Sequence, residues 1–397
     1  MVLRKTSFFN TFALYKNYFR TQMAFLHPAF TILFILLILF SFQEVYGNGE
    51  KKNFAGLWVV GIMMIVLSGL RGNVGADYPI YRSFYLFYFP TIDYSELIDK
   101  MLMRKSDLEI EWMYVMLNKF VATFGGPFQS FTFVSACISV GIKIWTFKKD
   151  SPYPVFSALI LLIPGYFIAD TGHMRQALGM TVCILSYQFI KERKLVWYLV
   201  CLYIAYGFHK SAIIFLPAYW LVLIPLNANR IFYAIITCVI LSPFQVYNLF
   251  SGFLGSLNLQ DVSNGYNGYI GYEDKASSFM DGTMVLYGIL LVMYDKTACQ
   301  RVWYYEYLRN ILVFGVCLYF IFRDNPVFST RLVGVYVGFA PLVVANIIYG
   351  IDKVGTKRFW HLFFVGFMVF YYFVFASYQG VAGRFTPTTY TNFLWSY

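Results

Sequence analysis

The sequence predicts an all-α polytopic membrane protein with roughly twelve transmembrane helices. Of its 397 residues, 59% are hydrophobic, 21% are aromatic and only 13% are charged, and the mean hydropathy is +0.58. A soluble protein of this length needs more polar residues on its surface. The hydrophobic residues form continuous runs instead of the alternation typical of a transmembrane barrel, so the spans are expected to be helices.

The predicted order along the chain is a surface segment, a transmembrane domain and a short tail. Residues 1–28 are basic and aromatic, as expected of an amphipathic segment on the membrane surface. The transmembrane domain covers 29–378, and residues 379–397 form the tail. Two polar connections, about 71–111 and 248–282, are predicted to be long outer loops. The apolar runs that predict spans lie at about 29–42, 54–70, 128–147, 154–169, 173–190, 195–208, 211–226, 231–247, 283–294, 308–322, 330–349 and 359–378.

Clusters of Lys and Arg predict which turns face the cytoplasm. The apolar segment 112–124 is too short to span comfortably, so it is expected to be a surface or re-entrant helix. If it does not cross, the basic turns fall on one side and the polar motifs on the other. The basic N-terminal tail then lies outside, which conflicts with the positive-inside rule. The basic turns contain Lys143, Lys148 and Lys149; Lys191, Arg193 and Lys194; Arg230; Lys296 and Arg301; and Lys353, Lys357 and Arg358.

Charge and motif content argue against several function classes. The net charge of +11 is expected to reflect cytoplasmic loops, so no nucleic-acid partner is predicted. The chain lacks a Walker loop, a Rossmann glycine fingerprint and a Gly-x-Ser-x-Gly motif, which argues against nucleotide chemistry. The six cysteines include no Cys-x-x-Cys pair. Glu109-x-Glu111 is only a weak metal signal, so neither a metal nor a cofactor is expected.

Basic residues gather at four predicted outer corners. Arg71 ends a span, Arg175 and Arg331 lie where spans begin, and His209 lies in the turn between two spans. Because helix starts expose unpaired amides, Arg175 and Arg331 predict anion sites suited to phosphate. The alternative is that these residues only anchor the protein to lipid headgroups. The expected N-caps of the two helices are Asp170 or Thr171 and Ser329 or Thr330.

Three residues near these corners can accept a proton. Asp77 could pair with Arg71 or act as a base, Glu111 begins an apolar segment, and histidine at position 209 suits proton transfer near neutral pH. We hypothesise that His209 or Glu111 is the base, and that Asp77 orients the arginine or hydrogen-bonds a sugar. Cationic corners and carboxylates on one face of a membrane protein suit a lipid-linked phosphate substrate.

The polar motifs resemble those of the EpsG-type branch of bacterial polysaccharide polymerases, which is related in function to the Wzy-type O-antigen and capsule polymerases. The resemblance extends from about residue 54 to residue 349. The motifs that carry it are Leu70-Arg71-Gly72-x-x-Gly75-x-Asp77-Tyr78-x-x-Tyr81, Glu111-x-x-Tyr114-x-x-Leu117, Arg175-Gln176, Phe208-His209-x-Ser211 and Arg331. Ala76, in front of Asp77, departs slightly from the Gly-Thr-Asp-Tyr form of the family.

The resemblance implies a GT-C-like membrane glycosyltransferase. Its substrate would be an undecaprenyl-pyrophosphate-linked oligosaccharide, polymerised into O-antigen, capsule or exopolysaccharide at the outer face of the bacterial cytoplasmic membrane. A flippase and a chain-length regulator are the implied partners besides the lipid bilayer. Within this scheme we predict His209, Glu111 and Asp77 as catalytic residues, and the predicted substrate-binding residues are Arg71, Tyr81, Arg175, Gln176 and Arg331.

Two other function classes remain open on the sequence. A flippase or transporter would be expected to show two similar halves and charges lining a midplane cavity, whereas the polar residues here gather at one face. A membrane O-acyltransferase that modifies the glycan would be expected to have a histidine-centred site. His209 has no acidic residue four positions away that would support it.

Overall fold

The computed structural model describes residues 26–47, 52–72, 74–75, 77–104, 108, 110–246, 278–377 and 390–394. Nearly all of the predicted surface segment 1–28, most of the predicted loop 248–282 and residues 379–389 lie outside this part. The described chain is helical apart from one isolated antiparallel bridge between Arg71 and Asn392. The structure therefore confirms the all-α prediction.

The α-helices of the described chain are numbered in order. They are α1 (Pro28–Tyr46), α2 (Phe54–Gly69), α3 (Tyr78–Ser83), α4 (Tyr94–Met101), α5 (Trp112–Ala122), α6 (Phe128–Asp150), α7 (Pro154–Leu161), α8 (Met174–Lys191), α9 (Leu195–Phe208), α10 (Ala218–Leu221), α11 (Ala228–Leu241), α12 (Ser278–Met293), α13 (Asp295–Arg301), α14 (Tyr305–Ile321), α15 (Pro326–Arg331), α16 (Gly334–Val337), α17 (Ala340–Gly350) and α18 (Val354–Ser377). The π-helical segments are Phe84–Tyr88 and Leu162–Asp170, and the 3₁₀ segments are Phe89–Thr91, Lys210–Phe215 and Ser242–Phe244.

Two described helices, α1 and α6, are long and apolar enough to cross a bilayer on their own. A third candidate is a broken one, in which Phe328–Val337 and Ala340–Gly350 meet at 45°. Several shorter apolar helices accompany them, so the chain is a membrane protein, and the number of spans stays a prediction. The shorter apolar helices are Phe54–Gly69, Pro154–Asp170, Leu195–Phe208, Lys210–Leu221, Ala228–Phe244 and Phe279–Met293.

Several of the predicted continuous spans are broken, among them 211–226 and 330–349. In the run 211–226, a 3₁₀ segment leads into the four-residue helix α10, with Pro217 at the junction. Proline has no amide hydrogen and its ring clashes with the preceding turn, which explains the break. In the run 330–349, three short helices replace one span, and Pro341 lies in the first turn of the last of them.

Helices α2, α6, α8 and α9 pack side by side and form the frame of the candidate site. Gly69, at the end of α2, lies so close to α6 that a Cβ atom there would be 2.9 Å from the Cα atom of Phe133. The missing side chain lets the two backbones approach, as small residues do between membrane helices. This contact fixes the end of α2, where the first polar motif begins.

The polar motifs and a basic surface lie at opposite ends of α8. At its C-terminal end, Lys191 forms an ion pair with Asp150 at the end of α6, and Lys149 donates to Gln188. At its N-terminal end lies Arg175. The helix has 18 residues and is therefore about 27 Å long.

Lys143 does not mark a basic turn, so that part of the sidedness prediction is wrong. It lies inside α6 and its Nζ atom contacts both carboxylate oxygens of Asp170, at 2.7 and 2.8 Å. The two side chains are only 2% and 0% exposed. A lysine inside an apolar helix needs a partner. The remaining basic residues of that turn, Lys148 and Lys149, do lie at the helix end.

Residues 390–394 of the predicted tail pack against the end of α2. The Gly72 amide donates to the carbonyl of Thr391 at 2.8 Å, and the Phe393 amide donates to the carbonyl of Leu70 at 2.7 Å. The hydroxyl of Tyr390 donates to the carbonyl of Leu67 at 2.7 Å. This end of the tail therefore packs with the helical bundle.

Candidate active site

An ion pair between Arg175 and Glu111 lies at the centre of the candidate site. The Nη1 atom of Arg175 donates to Oε2 of Glu111 at 2.8 Å, and the backbone amide of Lys210 donates to Oε1 at 3.4 Å. Glu111 is 8% exposed, whereas Arg175 is 31% exposed. The carboxylate thus joins the starts of α5 and α8 to the turn after α9, and it leaves the guanidinium partly accessible.

Tyr81 and Asp77 extend this pair into a network. The Nε atom of Arg175 donates to the Tyr81 hydroxyl at 3.3 Å, and that hydroxyl donates to Oδ2 of Asp77 at 3.0 Å. Burial raises the pKa of Tyr81 to about 12, so the hydroxyl keeps its proton. Asp77 is partly exposed, and its Oδ1 atom accepts no hydrogen bond from the described residues.

The His209 side chain is oriented by hydrogen bonds to Ser211 in the same turn. Its Nδ1 atom is 2.7 Å from Oγ of Ser211 and accepts the Ser211 amide at 3.2 Å. Burial and the charges of Arg175 and Arg331 lower the pKa of His209 to about 4, against the opposing effect of Glu111. The ring is therefore neutral near pH 7, with its proton on Nε2 because Nδ1 is an acceptor.

Gln176 and Arg331 connect the site to α15. The Nε2 atom of Gln176 donates to the backbone carbonyl of Arg331 at 3.3 Å. Arg331 ends α15 instead of beginning a helix, so the helix start predicted at Arg331 is wrong. Asn325 accepts the amide of Phe328 at 3.1 Å in the first turn of that helix, in the role expected of Ser329 or Thr330.

The predicted caps of α8 are also wrong. Asp170 pairs with Lys143, and the hydroxyl of Thr171 donates to the carbonyls of Tyr166 and Phe167. His173 occupies the N-cap position without a side-chain cap hydrogen bond. Both predicted caps are engaged elsewhere because the preceding segment packs inside the bundle.

Arg71 lies apart from this network. It is 1% exposed, and its guanidinium donates to the carbonyls of Ser68 and Val74. Asp77 contacts Tyr81 instead, so the Arg71–Asp77 pair considered on the sequence is not formed among the described residues. Arg71 therefore closes the turn after α2 and has no accessible guanidinium for a ligand.

Close packing explains why distant segments meet at the site. A Cβ atom on Gly207, near the end of α9, would be 2.6 Å from the indole of Trp112. Glycine there lets the start of α5 reach the turn that contains Lys210. The guanidinium of Arg175 lies 5.6 Å from the ring centroid of Tyr81 and 6.0 Å from that of Tyr114, so aromatic rings support it from two directions.

Sequence reasoning missed the roles of three contributors to this site. They are the backbone amide of Lys210, the ring of Tyr114 as a support for Arg175, and Lys143 as the partner of Asp170. Only Lys143 had a detectable signal, which is a charge inside an apolar run. Glu109 of the weak metal pair lies outside the described residues, and the described residues contain no cluster of three metal-ligating side chains.

The arrangement combines a partly exposed guanidinium, a group that suits anions, with a partly exposed carboxylate. Arg175 is oriented by Glu111 and Tyr81 and still has Nη2 for a ligand, since Nη1 and Nε are used. The Tyr81 hydroxyl bridges the carboxylate of Asp77 and the guanidinium of Arg175. The fold and this network define an all-helical membrane protein with a polar site near one end of its helices.

The chain belongs to the EpsG family, whose model matches residues 54–390 and thus most of the chain. This match confirms the resemblance drawn from the motifs. Membership of the family suggests a polysaccharide polymerase-like function in a membrane. Comparisons with curated proteins and with solved structures find no match.

Proposed function

We propose that this protein is a GT-C-like polysaccharide polymerase of the bacterial cytoplasmic membrane. It joins undecaprenyl-pyrophosphate-linked oligosaccharide repeat units into O-antigen, capsule or exopolysaccharide at the outer face. The observation that supports this best is the network from Asp77 through Tyr81 and Arg175 to Glu111. It offers a guanidinium for the leaving diphosphate and a carboxylate for the attacking hydroxyl within one cluster.

Arg175 is the proposed ligand of the diphosphate, assisted by Arg331 and Gln176. Charge on the diphosphate grows as its bond to the sugar breaks, so a pre-oriented guanidinium stabilises the transition state more than the bound substrate. Glu111 holds Arg175 in place, which avoids reorientation during the reaction. Arg71 has a positioning role, because its side chain is enclosed by backbone carbonyls.

Asp77 is the proposed base, in preference to Glu111 and His209. Glu111 accepts hydrogen bonds from Arg175 and Lys210, so both of its carboxylate oxygens already have donors. The Nδ1 atom of His209 accepts from Ser211, which leaves Nε2–H as a donor. Asp77 keeps Oδ1 for the substrate and receives the Tyr81 hydroxyl on Oδ2. This proposal exchanges the roles hypothesised from the sequence, in which His209 or Glu111 was the base and Asp77 the orienting residue.

The reaction is a glycosyl transfer with balanced charges and protons. The acceptor hydroxyl oxygen forms a bond to the anomeric carbon of the growing chain while the bond from that carbon to the diphosphate oxygen breaks. The electron pair leaves with undecaprenyl pyrophosphate, beside Arg175. Asp77 takes the hydroxyl proton. No metal or cofactor takes part in this scheme.

Deletion of the gene tests the proposal against the two alternatives. A polymerase deletion should accumulate single lipid-linked repeat units that face outward. Inward-facing units would instead identify a flippase, and a full-length polymer without acyl groups would identify an O-acyltransferase. The flippase and the chain-length regulator are the proposed partners, and both should remain functional in the deletion strain.

A further inference from the structure

A groove lined by apolar side chains lies between α4 and α5, next to the candidate site. Its volume is about 90 Å³. The helix α4 places Tyr94, Leu97, Ile98 and Met101 on this side and its charged residues on the other. The wall on α5 consists of Trp112 and Met116. Cavities with such walls stay dry and accept apolar guests.

Two hydrogen-bonded anchors hold α4 beside this groove. At the entry to the helix, Nζ of Lys119 donates to the carbonyls of Phe89 and Ile92 and lies 4.6 Å from the ring centroid of Tyr94. At the other end, the hydroxyl of Tyr203 donates to the carbonyl of Met101. Both ends of α4 are therefore fixed to neighbouring helices, which keeps the walls of the groove in place.

The groove and the proposed diphosphate site share the start of α5. Trp112 lines it and directly follows Glu111, the partner of Arg175. The indole of Trp112 is held in place against Gly207 and lies 5.5 Å from the ring of Tyr203, measured between centroids. Trp112 thus connects the wall of the groove, through the backbone, to the carboxylate that holds Arg175.

We propose that this groove binds the polyprenyl chain of the substrate where it leaves the pyrophosphate. The inference rests on the proposed function and specifies where the lipid part of that substrate lies. A polyprenyl diphosphate has the charge that suits Arg175 and, attached to it, the apolar chain that suits the groove. The groove thus positions the diphosphate by its lipid anchor, while the sugar remains free to meet Asp77.

Photocrosslinking on the full-length protein in membranes tests the assignment without requiring turnover. The probe is a polyprenyl diphosphate with a diazirine in its first isoprene unit. It should label α4 and α5, and unlabelled polyprenyl diphosphate should compete. A phospholipid with a diazirine in its acyl chain should label these helices no more than other apolar surfaces. Equal competition by phospholipid, or labelling elsewhere only, would overturn the proposal.

Kinetics of groove variants provide a second test. Met116→Trp fills the groove, and Ile98→Gln makes it polar. Each should raise KM for a long-chain lipid-linked repeat unit by about tenfold while kcat changes little. A repeat unit on a short, water-soluble lipid should be used equally well by wild type and variants. Met293→Trp is the matched control, since Met293 is an exposed methionine on α12, away from the groove.

The two proposals can fail separately. If the groove assignment is wrong, polymer still forms and the variants change KM for both substrates equally or for neither. If the polymerase assignment is wrong, no polymer forms from either substrate, while the diphosphate probe can still label α4 and α5.

Discussion

Lys143 and Asp170 form a fully enclosed ion pair beneath the candidate site, with both carboxylate oxygens within 2.8 Å of the ammonium nitrogen. Asp170 lies five residues before Arg175, so the pair holds the segment from which α8 begins. Arg71 and Asp170 line the same small polar cavity, together with Ser135 and Ser139 of α6. Arg71 of the first motif and Asp170 in front of α8 are therefore both held against the same part of α6.

Removal of one partner of this pair should destabilise the protein strongly. Each of the variants Asp170→Asn and Lys143→Met leaves an uncompensated buried charge. Each should lower the free energy of unfolding by on the order of 3–5 kcal/mol. The double variant Lys143→Met/Asp170→Leu should recover most of that loss. Unfolding in detergent measures the effect. Lys149→Met, an exposed change near the end of α6, is the control and should alter stability by less than about 0.5 kcal/mol.

Arg175→Lys should abolish most polymerisation. A lysine cannot donate to Glu111 and Tyr81 and still offer a planar pair of donors to a diphosphate. We expect kcat to fall by about 10²–10³-fold, measured as polymer formed from purified lipid-linked repeat units. Arg82→Lys, at an exposed position next to Tyr81, should keep normal activity. Full-length polymer from Arg175→Lys would remove this residue from the site.

Asp77→Asn and Glu111→Gln distinguish the two carboxylates. Loss of the base should lower the rate by about 10²–10⁴-fold with substrate binding retained, so Asp77→Asn should have this effect. Glu111→Gln keeps an acceptor for Arg175 and should cost about tenfold, partly in KM. Asp93→Asn, at an exposed carboxylate outside this network, is the control. A larger rate loss for Glu111→Gln than for Asp77→Asn would make Glu111 the base.

The free energy of unfolding should decrease as the pH is lowered, because His209 has a lowered pKa in the folded protein. The pKa of its ring is lowered in the folded protein from the usual 6.5 to about 4, so between these values the unfolded chain binds the extra proton. The contribution of His209 is complete above pH 6.5 and is lost as the pH falls towards 4, amounting to about 3 kcal/mol.

The variant His209→Asn should flatten this dependence, because asparagine keeps an acceptor for the Ser211 amide but does not titrate. Unfolding temperatures across pH measure it. An equally steep loss in His209→Asn would assign the pH dependence to another group. Near pH 6.5, the rate of polymerisation should depend on pH in the same way in the wild type and in His209→Asn.

Cysteine labelling tests the sidedness of the two surfaces at the ends of α8. In a cysteine-free protein, Ser95→Cys on α4 should react with an impermeant thiol reagent added from outside. Glu192→Cys, in the turn after α8, should react only after permeabilisation. Both side chains are exposed, so access and not burial decides the result. Protection of Ser95→Cys in intact cells would place the candidate site on the cytoplasmic side.

The residues of the candidate site could be named from the sequence more reliably than their partners. The motif positions Asp77, Tyr81, Glu111 and Arg175 all join one network. Arg71 was expected beside them because it follows an apolar run, yet its guanidinium is enclosed by carbonyls of its own turn. Sequence spacing locates a charge near a membrane boundary, but it does not tell whether a loop folds over that charge.

The sequence by itself determined the helical membrane class, because long apolar runs must satisfy their backbone hydrogen bonds internally. It also determined where most polar motifs lie, at or next to helix ends. The tertiary structure alone decided the pairings. Glu111 and Arg175 are 64 residues apart, and Lys143 and Asp170 are 27 apart. Such contacts depend on how helices pack, which is set by close approaches such as that of Gly207 and Trp112 and not by local pattern.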